Sequence, residues 1–161
     1  MVARTSAALL AYRIDPAAGL VVFIGHMGGP FWARTDDGGW SIPKGEYEAG
    51  AEDAAQAARR EFAEEIGVPP PTGKLIDLGV HPQPSGKRIR AFAVAADDRL
   101  VFVRSNEFEL QWPRGSGVTR SFPEIDRAAW FPLAQARRKV VPGQVPILDA
   151  LARAVLPDPL P

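Results

Sequence analysis

The stretch Arg60-Glu61-Phe62-Ala63-Glu64-Glu65-Ile66-Gly67-Val68 decides how this chain is read. Wound as a helix, Glu61, Glu64 and Glu65 fall within about one third of the circumference. Ala55, Ala58, Phe62 and Ile66 form an adjoining apolar stripe, so a core face and an acidic face lie side by side. Glu61 and Glu65 stand at a repulsive spacing for like charges. Both sit toward the helix C-terminus, where the dipole disfavours anions. A bound cation relieves both penalties. Hard carboxylate oxygens in a chain without cysteine favour Mg²⁺ or Mn²⁺ over zinc. The same spacing also suits a solvated surface answered by Arg59 and Arg60.

Upstream lies a glycine turn, Pro43-Lys44-Gly45-Glu46, and a further acid, Glu52. From 45 to 68 the chain resembles the signature of the Nudix hydrolases, a MutT-like family: glycine, glutamate, then Arg-Glu, an apolar residue, Glu-Glu, glycine and a closing apolar residue. Residues 60–68 match every fixed position of its second half, and Glu52 stands eight residues before Arg60, as the signature asks. The first half departs from it. Six residues separate Gly45 from Glu52 where the pattern has five, an extra residue around Gly50-Ala51.

The resemblance implies an α/β/α sandwich, a mixed central sheet with helices on both faces, made by one domain over residues 1–161. It implies that Glu61, Glu64 and Glu65 bind Mg²⁺ or Mn²⁺ with help from the Gly45 carbonyl. One of the glutamates, Glu61 foremost, orients or deprotonates the attacking water. Arg60 orients the catalytic glutamates through a salt bridge, and Glu52 is structural. In the MutT-like branch another glutamate precedes a late tryptophan by six residues, as Glu124 precedes Trp130 here. That makes Glu124 the candidate distal metal ligand or base, with Glu107 and Glu109 as competitors.

The implied activity is metal-dependent hydrolysis of a phosphoanhydride in a compound built on a nucleoside diphosphate. Secondary signals divide the substrate. Ser41-Ile42-Pro43-Lys44-Gly45 is similar to the loop of family members that cleave diadenosine and inositol polyphosphates. The downstream tyrosine that goes with dinucleoside polyphosphates is missing, since the tyrosines are Tyr12 and Tyr47. Pro84 stands sixteen residues beyond Val68, where ADP-ribose hydrolases carry a proline. Nucleoside and dinucleoside polyphosphates come first, and ADP-ribose second. A non-catalytic nucleotide sensor is the reading from another class. It is favoured by the extra loop residue, which could displace Gly45, and opposed by the complete set of acids.

Outside the signature, Lys44 is either a phosphate contact or an exposed loop lysine. Trp32 and Arg34, with Phe31, either hold a base and a phosphate or pin their loop to the core. His26 and His81 have no partner at ligand spacing. The formal net charge is zero, so no broad basic field invites a nucleic-acid polymer. No apolar run is long enough for a membrane span. The lack of cysteine fits a reducing cytoplasm. Oligomeric state leaves no mark on the sequence.

The pattern predicts strands over 6–14, 20–25, 40–42, 75–80, 88–95, 100–103 and 128–131. It predicts helices over 52–66, 132–140 and 145–156, a polar loop over 104–123, and a frayed tail over 157–161. Leu20-Val21-Val22-Phe23-Ile24 is apolar throughout and suits a central strand buried on both faces.

Overall fold

The structure, a computed structural model, describes residues 4–157, so the tail reading for 158–161 lies outside the described residues. Strands β1 (Thr5–Asp15) and β2 (Gly19–Met27) form a hairpin at the centre of a mixed sheet. The short strands β3 (Trp40–Ser41) and β4 (Lys44–Glu46) follow, then helix α1 (Ala54–Ile66). Strands β5 (Ile76–Pro82) and β6 (Arg88–Ala95) pair antiparallel, and β6 lies parallel to β1. A separate hairpin, β7 (Glu107–Gln111) and β8 (Thr119–Pro123), leads into β9 (Ile125–Pro132), which returns to pair with β2. Helices α2 (Leu133–Lys139) and α3 (Val145–Val155) close the described chain.

The alternation of β1 divides the core. Ala7, Leu9 and Ala11 face α1, where they meet Phe23, Ala58, Phe62 and Ile66. Ala8 and Leu10 face the other way, toward Val22, Ile24, Ile147, Leu148 and Leu151. Successive strand side chains point to opposite faces, so one strand serves two apolar layers. This is the sandwich expected from the sequence, with α1 on one face and α2 and α3 on the other. Leu20 through His26 are buried, as a strand covered on both faces and paired on both edges requires.

The site depends on where β1 and β2 diverge. β1 pairs with β2 through its C-terminal half and with β4 through Ser6, Ala7 and Ala8. β2 pairs with β3 through Gly25 and His26. Residues 40–46 are therefore wedged between the two parting strands, and Leu9 N–H donates to the Pro43 carbonyl across the gap (3.1 Å). The segment read as a glycine turn is in part a strand. Helix α1 begins at an Asp53 cap whose carboxylate accepts the Gln56 N–H, and ends on Gly67 at φ 82°. That left-handed value is what a C-terminal glycine cap supplies.

Two other expectations are corrected. Residues 100–103 form no strand. Leu100 and Phe102 pack inward while Val101 and Val103 stay exposed, which gives a strand-like alternation. The backbone instead finishes α1: Val103 and Arg104 N–H donate to the Ile66 carbonyl, and Asn106 N–H to that of Glu64 (2.9, 3.2 and 2.8 Å). The polar loop over 104–123 contains the β7–β8 hairpin, whose exposed faces hid it behind a polar composition. The last strand also starts earlier, at Ile125.

Behind the wedge, buried Gln144 accepts the Ile42 N–H (2.8 Å) and donates to the Ser41 hydroxyl (2.9 Å). Replacing Gln144 with leucine strands the Ile42 N–H away from water. We expect Gln144→Leu to lose about 1–3 kcal/mol in urea unfolding, with an unchanged m value. A wild-type midpoint would contradict this clamp.

Candidate active site

The acidic helix face opens onto a cavity of about 420 Å³ lined by Gly45, Glu61, Glu64, Glu65, Glu124 and Lys44, with Ser6, Glu46, Lys87 and Asn106. Three elements deliver the acids and the glycine. α1 supplies three glutamates, β4 supplies Gly45, and the turn between β8 and β9 supplies Glu124. Asn106 and Glu124 meet at the base of the β7–β8 hairpin, where Glu124 N–H donates to the Asn106 carbonyl (2.9 Å). A broader cleft of about 850 Å³ opens on the other side of Glu64, walled by Gly67, Val68, Pro69 and Pro70, and its acids are Glu64 and Glu107 alone.

Arg60 organises the acids. Its Nε and Nη2 grip both oxygens of Glu52 (2.9 Å each), while Nη1 donates to Glu61 (2.8 Å) and Glu64 (3.2 Å). Arginine alone offers such a planar fork. Glu52 is drawn below the ordinary carboxylate range by that fork. The extra residue leaves the pairing intact. It is taken up in the turn from Glu48 to Glu52, where Ala51 and Glu52 N–H both donate to the Glu48 carbonyl. Gly50 at its tip is exposed, with open space around it.

Gly45 meets Glu61 directly. A Cβ on Gly45 would overlap the Glu61 carboxylate. Gly45 is not among the glycines with positive φ, so its backbone would accept a side chain and the acid is what forbids one. Glu65 is 8 % exposed and accepts the Lys44 N–H (3.3 Å). Burial pushes its carboxyl up to about 8, against the pull of Lys44. Burial also raises Glu61, reinforced by the charge of Glu64, and raises Glu124. Three carboxyls held above their ordinary range around one cavity are short of positive charge.

The donor set fits a hard divalent cation: carboxylate oxygens from two segments and a bare backbone at Gly45. Among the described residues no three acid or histidine side chains stand close enough to form a ready ion cage. Arg60 draws one oxygen of Glu61 and one of Glu64 to itself, and Glu65 turns to Lys44. A metal would have to draw these oxygens together.

A family model for the NUDIX domain matches residues 8–151. The chain belongs to the Nudix hydrolase family. An uncharacterized 17.7 kDa protein of Enterobacteria phage T4 is 32% identical over 113 residues, covering 70% of this chain and 74% of the phage protein. Among solved structures, the NUDIX domain of Shewanella oneidensis NrtR complexed with ADP ribose aligns over 96% of this chain and 90% of its own, with TM-score 0.62 and 13% identity. A C. elegans Ap4A hydrolase binary complex aligns over 93% and 97%, with TM-score 0.59 and 18% identity.

On this Nudix fold, Gly45, Glu61, Glu64, Glu65, Glu124, Lys44 and Arg60 come together as the sequence grouped them. Glu107 and Glu109 lie on the exposed hairpin, outside the acidic cavity. Trp32 and Arg34 do not line it either. They sit in the turn after β2, where neighbouring Phe31 meets Trp112 edge-on (5.4 Å). His26 is fully buried between Asp126 (2.9 Å) and the Thr35 carbonyl (2.6 Å), tying that turn to β9. Sequence reasoning missed Ser6, Lys87 and Asn106, which strand register brings in without any spacing signal. Gly45→Ala should displace the Glu61 carboxylate, and a displacement near 1 Å costs on the order of 10²-fold in turnover. Wild-type kcat with a normal melting temperature would refute the close approach.

Proposed function

We propose that the protein hydrolyses a phosphoanhydride bond in a nucleoside diphosphate-linked compound, foremost a nucleoside or dinucleoside polyphosphate, with Mg²⁺ or Mn²⁺. One observation carries this reading: Glu61, Glu64, Glu65 and Glu124 surround a single cavity against the bare backbone of Gly45. Glu61, Glu64, Glu65 and the Gly45 carbonyl would hold the metal, with Glu124 completing the set. The metal would supply charge neutralisation on phosphate oxygens and acidification of water.

The chain's own residues do the rest. Glu61, pressed between Gly45 and Arg60, holds or removes the proton of the attacking water. Arg60 fixes the rotamers of Glu61 and Glu64 while anchored on Glu52. Lys44 offers a charge to the phosphate chain at the cavity edge. The match to an Ap4A hydrolase supports the choice of a polyphosphate substrate. ADP-ribose is the second reading, supported by the match to a domain bound to ADP ribose and by Pro84, which walls a cavity next to the acids. Among the described residues no helix is long and apolar enough to cross a membrane. The cytoplasmic placement rests instead on the cysteine-free composition, which suits a reducing compartment.

Product analysis with Mg²⁺ and with Mn²⁺ should show cleavage of one member of a panel of diadenosine tetraphosphate, ADP-ribose and nucleoside triphosphates. Metal-dependent binding without cleavage would make the protein a nucleotide sensor instead. Glu61→Gln and Glu65→Gln should each fold and lose roughly 10²-fold in turnover, the scale of one preorganised charge-stabilising group. Full activity in both variants would remove the metal assignment. Millimolar Mg²⁺ or Mn²⁺ should raise the melting temperature of the wild type, since a ligand of the native state stabilises by mass action. That shift should shrink in both variants.

A further inference from the structure

A second cavity of about 420 Å³ adjoins the acidic one, and its walls differ in kind. Met27, Ile89, Val141 and Pro142 make it largely apolar, and the turn from Gln83 to Lys87 closes one side. The two cavities share three residues, Ser6, Lys44 and Lys87. Strand register explains why. Ser6 on β1 lies opposite Glu46 of β4 on one edge and opposite Ile89 of β6 on the other. Lys44 and Lys87 therefore flank the start of β1 from both sides. Among the described residues they are the only cations lining either cavity.

We propose that Lys87 is a phosphate-positioning residue and that the apolar cavity beyond it takes the nucleoside part of the substrate. The phosphate chain then crosses from one cavity to the other between Lys44 and Lys87. This rests on the reading of the acidic cavity as the site that binds the phosphoanhydride, cleaved or not.

Lys87 is free for the task. Its nearest partner, Glu46, is 3.6 Å away, and both side chains are about half exposed. Such exposed pairs are worth little and yield readily to a phosphate. The cavity wall is preformed. Gln83 Nε2 donates to the Gly143 carbonyl (3.0 Å), and a Cβ on Gly143 would overlap Gln83. The two turns that face the cavity are thus locked together. Buried Gln144 behind them holds Ser41 and Ile42 and so braces the cavity wall. A mainly apolar recess of this volume next to a charged cleft suits a flat heterocycle whose phosphates lead away.

The test is calorimetric binding, in Mg²⁺, of adenosine α,β-methylene diphosphate and of methylenediphosphonate, the same bridge without the nucleoside. The wild type should bind the nucleotide more tightly. Lys87→Met should weaken both ligands about tenfold or more, the scale of one lost charge-assisted contact. Val141→Phe and Ser85→Trp, which fill the apolar cavity, should weaken the nucleotide alone. Ser85 is exposed, so its variant guards against a folding failure at Val141. A retained metal-induced rise in melting temperature marks each variant as folded.

The proposal is overturned if Lys87→Met binds both ligands as the wild type does, or if both filling variants bind the nucleotide normally. It is also overturned if the wild type binds neither ligand, or binds the nucleotide no more tightly than methylenediphosphonate. The expected binding pattern in a protein that cleaves nothing would sink the hydrolase reading and keep this one. Cleavage with unchanged binding by the variants would do the reverse.

Discussion

Everything at the centre of this molecule depends on two neighbouring strands running apart. Where β1 and β2 separate, their facing edges would expose unpaired backbone groups, and buried groups of that kind are costly. Residues 40–46 fill the gap, pairing first with β2 and then with β1. Backbone hydrogen bonding thereby brings Gly45 against α1, one helical face away from the core. Glu61 stays buried at the seam because the segment that covers it carries no side chain at the point of contact, and Glu65 beside it accepts the Lys44 N–H.

The acids and their covering segment form one electrostatic unit. Glu61, Glu64, Glu65 and Glu124 crowd like charge around one cavity, and burial of Glu61, Glu65 and Glu124 adds to the cost. Arg60 offsets part of it from behind, and Lys44 offsets part from the front. What remains is a deficit of positive charge facing the cavity. Structural ion pairs normally close such a deficit, whereas here it is left open toward solvent and toward whatever enters.

The grouping of the acids was legible in the sequence where helical period carried it. Glu61, Glu64, Glu65, Phe62 and Ile66 each fall on the face assigned to them, because a helix maps spacing directly onto geometry. Glu124 was legible through its distance from Trp130, since both lie on or beside one strand. Ser6 and Lys87 could not be found this way. They reach the cavity through long-range register between β1 and β6, which no local pattern encodes. The misread segments have related causes. Residues 100–103 alternate like a strand, but their hydrogen-bonding partner is the end of a helix. The hairpin over 107–123 is polar because it projects outward.

The turn from Glu48 to Glu52 shows which dimension of the signature matters. An additional residue bulges into solvent at Gly50, and Glu52 still grasps Arg60 with both oxygens. Separation along the chain is therefore elastic at this point, while separation in space is not. A rigid count between the glycine and the first glutamate would pass over proteins like this one, although the glycine and the acids still meet in space. Lengthening here changes a turn that lines neither cavity, so the length of the chain is altered while the walls around the acids stay as they are.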